Sequence, residues 1–515
     1  MTGGVTCGAC HHGGRDIIKR REECHLHSVL QDSYRRGYRV APFKAQNMSL
    51  NAAVTPSGAE IGRAQAVQAE ACGIEPNEHM NPVLLKPTAF NASQVVLQGQ
   101  VYGTKTTESY FREQRQAIWA RVEESYHLLE RNFDVIVIEG AGSPVEINLK
   151  EHDIANMRVA EMADADVILV ADIDRGGVFA SVIGTLALLT PTERARVKGI
   201  IVNKFRGDAS LFIQGVRMLE EAAGVPVLGV VPYVPDIGID EEDSLGLEGE
   251  RYRPGDRVHD DVLHLGVIQV PHISNFNDFD PLYRAPGVSI RFCQRPQDAA
   301  DCQAVILPGT KNTIDDLRWL RERGFFEAIW HAFANGAAVV GICGGYQMLG
   351  VEVEDPLGVE SQQSWSPGLH LLPVRTVMAS NKATYQAAGR TTLYSSLPVS
   401  GYEIHMGETT PLVGVQPFAR IARRNEDILR DDGAVWHEGR VIGTYLHGVF
   451  DNDGFREAWL KSIRLRFGLD QRVTGETNYR ERRWHAICHF ADVVRAHIDT
   501  STICAWIRHG TASNG

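Results

Sequence analysis

The sequence predicts two doubly wound α/β domains, and three observations point to them. Short runs rich in Val and Ile, apolar at nearly every position, recur with helix-length stretches between them, as strands of a parallel sheet covered on both faces should. The 515 residues exceed what one hydrophobic core sustains. Between the two series of runs lies an acidic, Gly-bearing stretch without period, residues 236–261, which reads as a linker.

Residues 1–235 form the first domain on this reading. Their opening differs from the rest. Cys7-Gly8-Ala9-Cys10-His11-His12 matches a haem attachment site or half a zinc site only superficially, since no second ligand pair follows at a suitable spacing. The run Asp16–His25 has neither strand nor helix period. From Gly37 to Lys44 the chain reads as a short strand entering a loop. Further strands are expected at Asp134–Glu139, Val167–Asp172, Gly199–Asn203 and Val225–Val231. A second series, Leu265–Val270, Ala304–Leu307, Val339–Ile342 and Val441–Tyr445, makes residues 262–455 the second domain. The tail, 456–515, reads as mostly helical, with Trp459, Leu460, Ile463 and Leu465 expected on one apolar face.

Composition narrows the function. A formal charge of −12 argues against nucleic acid or an anionic membrane as partner. No apolar run approaches a membrane span, and no secretory signal opens the chain. Nine cysteines without a framework fit a reducing cytoplasm.

The second domain carries the clearest motif. Val339-Val340-Gly341-Ile342-Cys343-Gly344-Gly345 is an apolar strand ending in a cysteine and two glycines, followed by the start of a helix. This is how a nucleophile elbow reads: the glycines permit a sharp turn, and the helix N-terminus favours thiolate. A cysteine nucleophile needs a base, and His447, just past the last strand, is the candidate among 19 histidines. Gly309, in the strand-to-loop turn Leu307-Pro308-Gly309-Thr310, is a candidate oxyanion donor through its N–H. Glu403 and His405 share one face of a strand pattern, as channel residues or as a satisfied structural pair.

In the first domain, Asp134–Glu139 ends in a carboxylate before a glycine turn, the way an acid is presented to magnesium on a nucleotide phosphate. Glu139 is therefore the candidate metal ligand. Lys44 is placed to meet phosphate or a substrate carboxylate. Asp172, Asp174 and Asn203 collect at strand ends, where ligands bind in open α/β sheets.

These motifs resemble a known family. The Cys343 and His447 segments are similar to class I glutamine amidotransferase domains, of the cobyric and cobyrinic acid synthase branch. In most of that class a Glu stands two residues after the histidine, and here that position is Val449. The resemblance thus implies a Cys–His pair lacking its orienting carboxylate, and modest glutaminase activity unless the partner domain is loaded. Asn203-Lys204-Phe205 resembles the base-recognition loop of the dethiobiotin synthetase-like fold. Pro42–Asn51, Asn81–Pro87, Asp172–Phe179 and Val202–Asp208 resemble cobyric acid synthases almost word for word from Arg35 onward. The resemblance implies ATP and glutamine as substrates, Mg2+ as counter-ion, and amidation of the b, d, e and g carboxylates of adenosylcobyrinic acid a,c-diamide in cobalamin biosynthesis. Alternatives are cobyrinic acid a,c-diamide synthase, or a non-catalytic corrinoid-binding protein.

One family feature is missing. A strand and a P-loop ending Gly-Lys-Ser or Gly-Lys-Thr should open the chain, and neither sequence occurs. Asp16–His25 can be encoded by GAC ATC ATC AAA CGC CGG GAA GAG TGT CAC. Read one nucleotide later, this string gives Thr-Ser-Ser-Asn-Ala-Gly-Lys-Ser-Val. The same shift allows His11-His12-Gly13 to become Ile-Met-Val. Residues 1–34 are therefore expected to be a frameshifted translation, and the chain as written to bind ATP poorly.

Overall fold

A computed structural model describes residues 3–9, 23–89, 92–106, 115–147, 150, 153–239, 261–412, 414–471 and 478–512. The Cys10–His12 pattern, Asp16–Glu22 and most of the 236–261 linker lie outside the described residues. Among those described, no helix is long and apolar enough to cross a membrane.

The chain divides into two units. The first comprises Met1–Ser49, Glu60–Asp243 and Arg483–Gly515; the second comprises Leu50–Ala59 and Ser244–Arg482. The chain therefore passes from unit to unit at three places besides the expected linker. The tail expected as one piece, 456–515, is shared between them. Its last helices, Tyr479–His497 and Thr500–Ala512, bury Ile487, Phe490, Val494, Ile503 and Ile507 in the first unit's core, with Val135, Val137, Ile168 and Val170.

In the first unit six strands form one parallel sheet in the order Val227–Pro232, Val197–Phe205, Asp166–Asp172, Gly3–Ala9, Val135–Glu139, Val40–Phe43. Helices cover both faces, which is why the strands read as continuous apolar runs. Gly3–Ala9 lies centrally although its sequence has no strand pattern. A helix, Glu23–Arg35, forms in another stretch without evident period; Val29 and Leu30 seat it in the core. Tertiary burial outweighs local preference there.

The second unit repeats the plan. Its sheet runs Val288–Cys293, Leu263–Ile268, Ala304–Leu307, Ala338–Ile342, Val441–Thr444, Ala434–Trp436, parallel except for the last pair. A long antiparallel ribbon, Val374–Thr391 with Pro398–Pro411, accompanies it. The helix Asp453–Arg466 buries Trp459, Leu460 and Ile463 in this core, but Leu465 is 66% exposed. The expectation for Leu465 is corrected by helical geometry: two residues beyond Ile463 is the opposite face.

Ile463→Ala should accordingly cost about 2–4 kcal/mol, and Leu465→Ala less than about 0.5 kcal/mol. Urea denaturation of the two variants measures both.

Candidate active site

Close packing builds the elbow. The strand Ala338–Ile342 is wholly buried, and Cys343 follows it at φ 53°, ψ −110°. A non-glycine residue held there stores on the order of 1–3 kcal/mol of strain. The turn requires neighbours without side chains: a Cβ on Gly345 would lie 2.0 Å from the Leu307 carbonyl oxygen. Cys343 is 6% exposed, and its Sγ lies 3.5 Å from the Ile404 carbonyl oxygen. The helix that follows, Gly344–Leu349, has only six residues.

His447 stands against this sulfur, fully buried. Asp432 accepts hydrogen bonds from the Thr444 hydroxyl and the Tyr445 N–H, fixing the strand end that leads to it. Burial pushes Asp432 up to about 6. The His447 backbone exchanges hydrogen bonds with Tyr402, at 2.9 and 3.2 Å, and the two rings stack 5.1 Å apart. A Cβ on Gly401 would fall 2.0 Å from the His447 carbonyl oxygen, so glycine is needed there.

The decisive partner is Asp278. Its Oδ2 lies 2.7 Å from His447 Nδ1, and its Oδ1 accepts from the Gly448 N–H at 2.9 Å. Burial by itself would lower the histidine's pKa. The charge and hydrogen bond of Asp278, with a hydrogen bond that the ring donates to the Cys343 sulfur, overcome that and push His447 up to about 10. This corrects the expectation of a histidine without an orienting carboxylate: the acid comes from a different strand-to-loop segment, while Val449 packs into the core. On the other ring nitrogen, Asn275 Nδ2 lies 3.4 Å from Nε2. The Ala52 N–H holds Asn275 Oδ1 at 2.8 Å, and the Tyr402 hydroxyl donates to the Ala52 carbonyl at 3.1 Å.

Gly309 joins Cys343 and His447. The strand Gly309–Thr310 pairs with Ile273–Ser274, and a Cβ on Gly309 would sit 3.1 Å from His447 Cε1. Thr310 donates to buried Asp316, which also meets His272 Nδ1 at 2.7 Å. Glu403 accepts from Arg423 at 2.7 Å, with His405 Nε2 at 3.6 Å. His405 stacks on Tyr445 at 3.7 Å between ring centres.

The first unit gathers its expected residues into two groups at the carboxyl edge of its sheet. Lys44 Nζ meets Glu139 Oε1 at 2.9 Å, and Gln68 and Gln65 donate to Oε2 at 2.8 and 3.2 Å. Asp172 pairs with Lys204 at 2.6 Å and Asp174 with Arg206 at 2.6 Å; Asn203 is the register partner of Asp172. The strand Gly3–Ala9 runs between Glu139's strand and Asp172's. Glu139 as placed does not fit a magnesium ligand, because a lysine ammonium and two amides take its oxygens. Among the described residues no group of three or more His, Cys, Asp or Glu could hold a metal ion.

Sequence comparison gives this geometry a lineage. Residues 264–455 match the CobB/CobQ-like glutamine amidotransferase domain family, and residues 56–240 match an AAA domain family. The chain is 48% identical over 479 residues to a cobyric acid synthase of Moorella thermoacetica, covering 92% of both chains. The chain belongs to the cobyric acid synthase family. Cobyric acid synthases of Syntrophobacter fumaroxidans (46% identical, 91% of this chain and 92% of the relative) and Chloroflexus aggregans (49%, 83% and 86%) are similar to it as well.

Of the residues that the sequence nominates, the structure brings Cys343, His447 and Gly309 together; Asp278, Asn275 and Tyr402, which join them, are not among those nominated. The available signal was Ser274-Asn275-Phe276-Asn277-Asp278-Phe279, polar side chains interleaved with Phe directly after the unit's first strand. Its partner histidine is 169 residues away.

The titration of His447 is testable through stability. Its pKa is about 10 in the fold against 6.5 for an ordinary imidazole, so the stabilisation it takes from Asp278 is complete below 6.5 and is lost as pH rises through about 10. Asp278→Asn should destabilise the protein strongly at about pH 6 and much less at about pH 10.5, read by urea denaturation at each pH.

Proposed function

We propose that the chain takes nitrogen from glutamine and, at the expense of ATP, transfers it to carboxylates of a corrinoid. The finer reading has the b, d, e and g carboxylates of adenosylcobyrinic acid a,c-diamide as acceptors and adenosylcobyric acid as product, a step of cobalamin biosynthesis in the cytoplasm. Family membership supports the acceptor. The line Cys343–His447–Asp278 carries the nitrogen-donor chemistry.

In this reading the proton of Cys343 already rests on His447, as the ring's raised pKa of about 10 requires, and the thiolate attacks the amide carbon of glutamine. The N–H groups of Gly309 and Gly344 stabilise the oxyanion. His447 returns the proton to the leaving nitrogen, ammonia departs, and a glutamyl thioester remains. Water, deprotonated by the same ring, then releases glutamate and frees the sulfur. Asp278 holds the ring in orientation and stabilises its charged form, the role of the acid in a triad.

In the first unit a corrinoid carboxylate attacks the γ-phosphorus of ATP and ADP leaves. Ammonia attacks the resulting acyl phosphate and displaces phosphate, leaving the amide. Lys44 offsets the phosphate charge, exchanging Glu139 for the nucleotide, and Asp172, Asp174 and Asn203 line the nucleotide's edge. The same reading treats residues 1–34 as translated out of frame. The chain as written would then retain the glutaminase and lose amidation, and the gene read in frame would restore both. Sequencing the 5′ end of the gene tests this; an undisturbed frame matching the chain overturns it.

For the glutaminase, Cys343→Ser should abolish glutamate release, and Asp278→Asn should lower kcat by about 10²–10⁴-fold. Glutamate release unchanged in Cys343→Ser would sink the reading. Mass spectrometry of the corrinoid after incubation with glutamine and ATP identifies which carboxylates become amides.

A further inference from the structure

A second pair of buried charges stands beside the elbow. Lys311 follows Gly309–Thr310 in the chain, and Glu360 lies on the loop after the strand Glu352–Glu354. Each side chain is 9% exposed, and Lys311 Nζ is 3.8 Å from Glu360 Oε1. That separation exceeds hydrogen-bond length. Two charges have been taken out of water without the tight pairing that would offset the cost.

Their placement is built in. The Asp355 carboxylate accepts from the N–H groups of Val359, Glu360 and Ser361 at 2.7, 2.8 and 3.0 Å, which clamps the loop carrying Glu360. The Lys311 N–H donates to the His272 carbonyl at 3.0 Å. Thr313 ties the pair to the nucleophile. Its N–H reaches Glu360 Oε2 at 3.5 Å, and its hydroxyl donates to Gln347 Oε1 at 2.7 Å. That hydroxyl lies 3.3 Å from where a Cβ on Gly344 would be, and Gly344 follows Cys343. Burial pushes the Glu360 carboxyl up while Lys311 opposes it.

A free α-amino acid carries an ammonium and a carboxylate on one carbon, complementary to an anion and a cation held this close. We propose that Glu360 receives the α-ammonium and Lys311 the α-carboxylate of the glutamine whose side-chain amide meets Cys343. The site then selects free glutamine over glutamine within a peptide, which has neither charge. This inference rests on the glutaminase reading and adds the residues that set its specificity.

The test uses two alkylating probes of Cys343, read by mass spectrometry. 6-Diazo-5-oxonorleucine carries the amino-acid head group; iodoacetamide does not. In Lys311→Met and Glu360→Gln, labelling by the diazo compound should slow by about 10²-fold, as expected when a charged recognition group loses its partner. Iodoacetamide labelling should stay within about twofold of wild type, since that probe makes no head-group contact. Variants labelled by the diazo compound as fast as wild type overturn the proposal. A wild-type protein that the diazo compound leaves unmodified at Cys343 overturns the glutaminase reading and the proposal with it. Protection of the unaltered protein covers variants that misfold. Glutamine should block the diazo reaction, whereas glutaramate, 4-aminobutanamide and N-acetylglutaminamide should not; equal protection by all four overturns the proposal.

Discussion

A carboxylate sealed against an imidazole governs the second unit. Asp278 and His447 are both essentially without solvent, 2.7 Å apart. In such surroundings neither charge is tolerable alone, and removing one partner of a buried pair costs about 3–5 kcal/mol. The pair therefore fixes two loops to each other, the one after Leu263–Ile268 and the one after Val441–Thr444. It also fixes which ring nitrogen faces the sulfur: with Nδ1 committed to Asp278, Nε2 is turned toward Cys343 and Asn275. The geometry that a nucleophile requires thus follows from an electrostatic constraint behind the ring.

Around that pair the backbone comes closer than side chains allow. Gly345 lies under Leu307, Gly401 under the His447 carbonyl, and Gly309 beside the imidazole edge. Each absent Cβ lets one segment press on another, and the sum of these approaches holds Cys343 in its strained turn. The strain persists because the surrounding sheet over-determines it. The polar anchors behind the site, Asp316 under Thr310 and Asp432 under Thr444, serve the same end from further back.

The first unit treats charge differently. Its acids and cations meet as pairs at the carboxyl edge of the sheet, Lys44 with Glu139 and Lys204 with Asp172, the positions at which open α/β sheets take ligands. A lysine already neutralised by a carboxylate can pass to a phosphate without ever standing uncompensated in a buried site.

Much of this was legible beforehand. The strands around Ile136, Ile168, Ile200, Val267, Val305 and Val340 announced themselves because a sheet covered on both faces demands continuous apolar runs. Cys343 with its two glycines and His447 after a strand were visible because elbows and strand ends leave local marks. The central strand Gly3–Ala9 and the helix carrying Val29 and Leu30 left no such mark, since pairing with distant strands places the one and burial of Val29 and Leu30 the other. Leu465 was misplaced because an apolar residue by itself does not say which side of a helix it occupies. Asp278 was invisible for a related reason: an acid 169 residues from its histidine becomes a partner only when two loops of one sheet edge meet. By itself the sequence determined most of the covered strands and the sharp turn that holds Cys343, because local pattern and backbone sterics decide both. Only the tertiary structure decided which carboxylate answers the histidine and which charges are buried as pairs, because burial and Coulomb energy depend on distance in space.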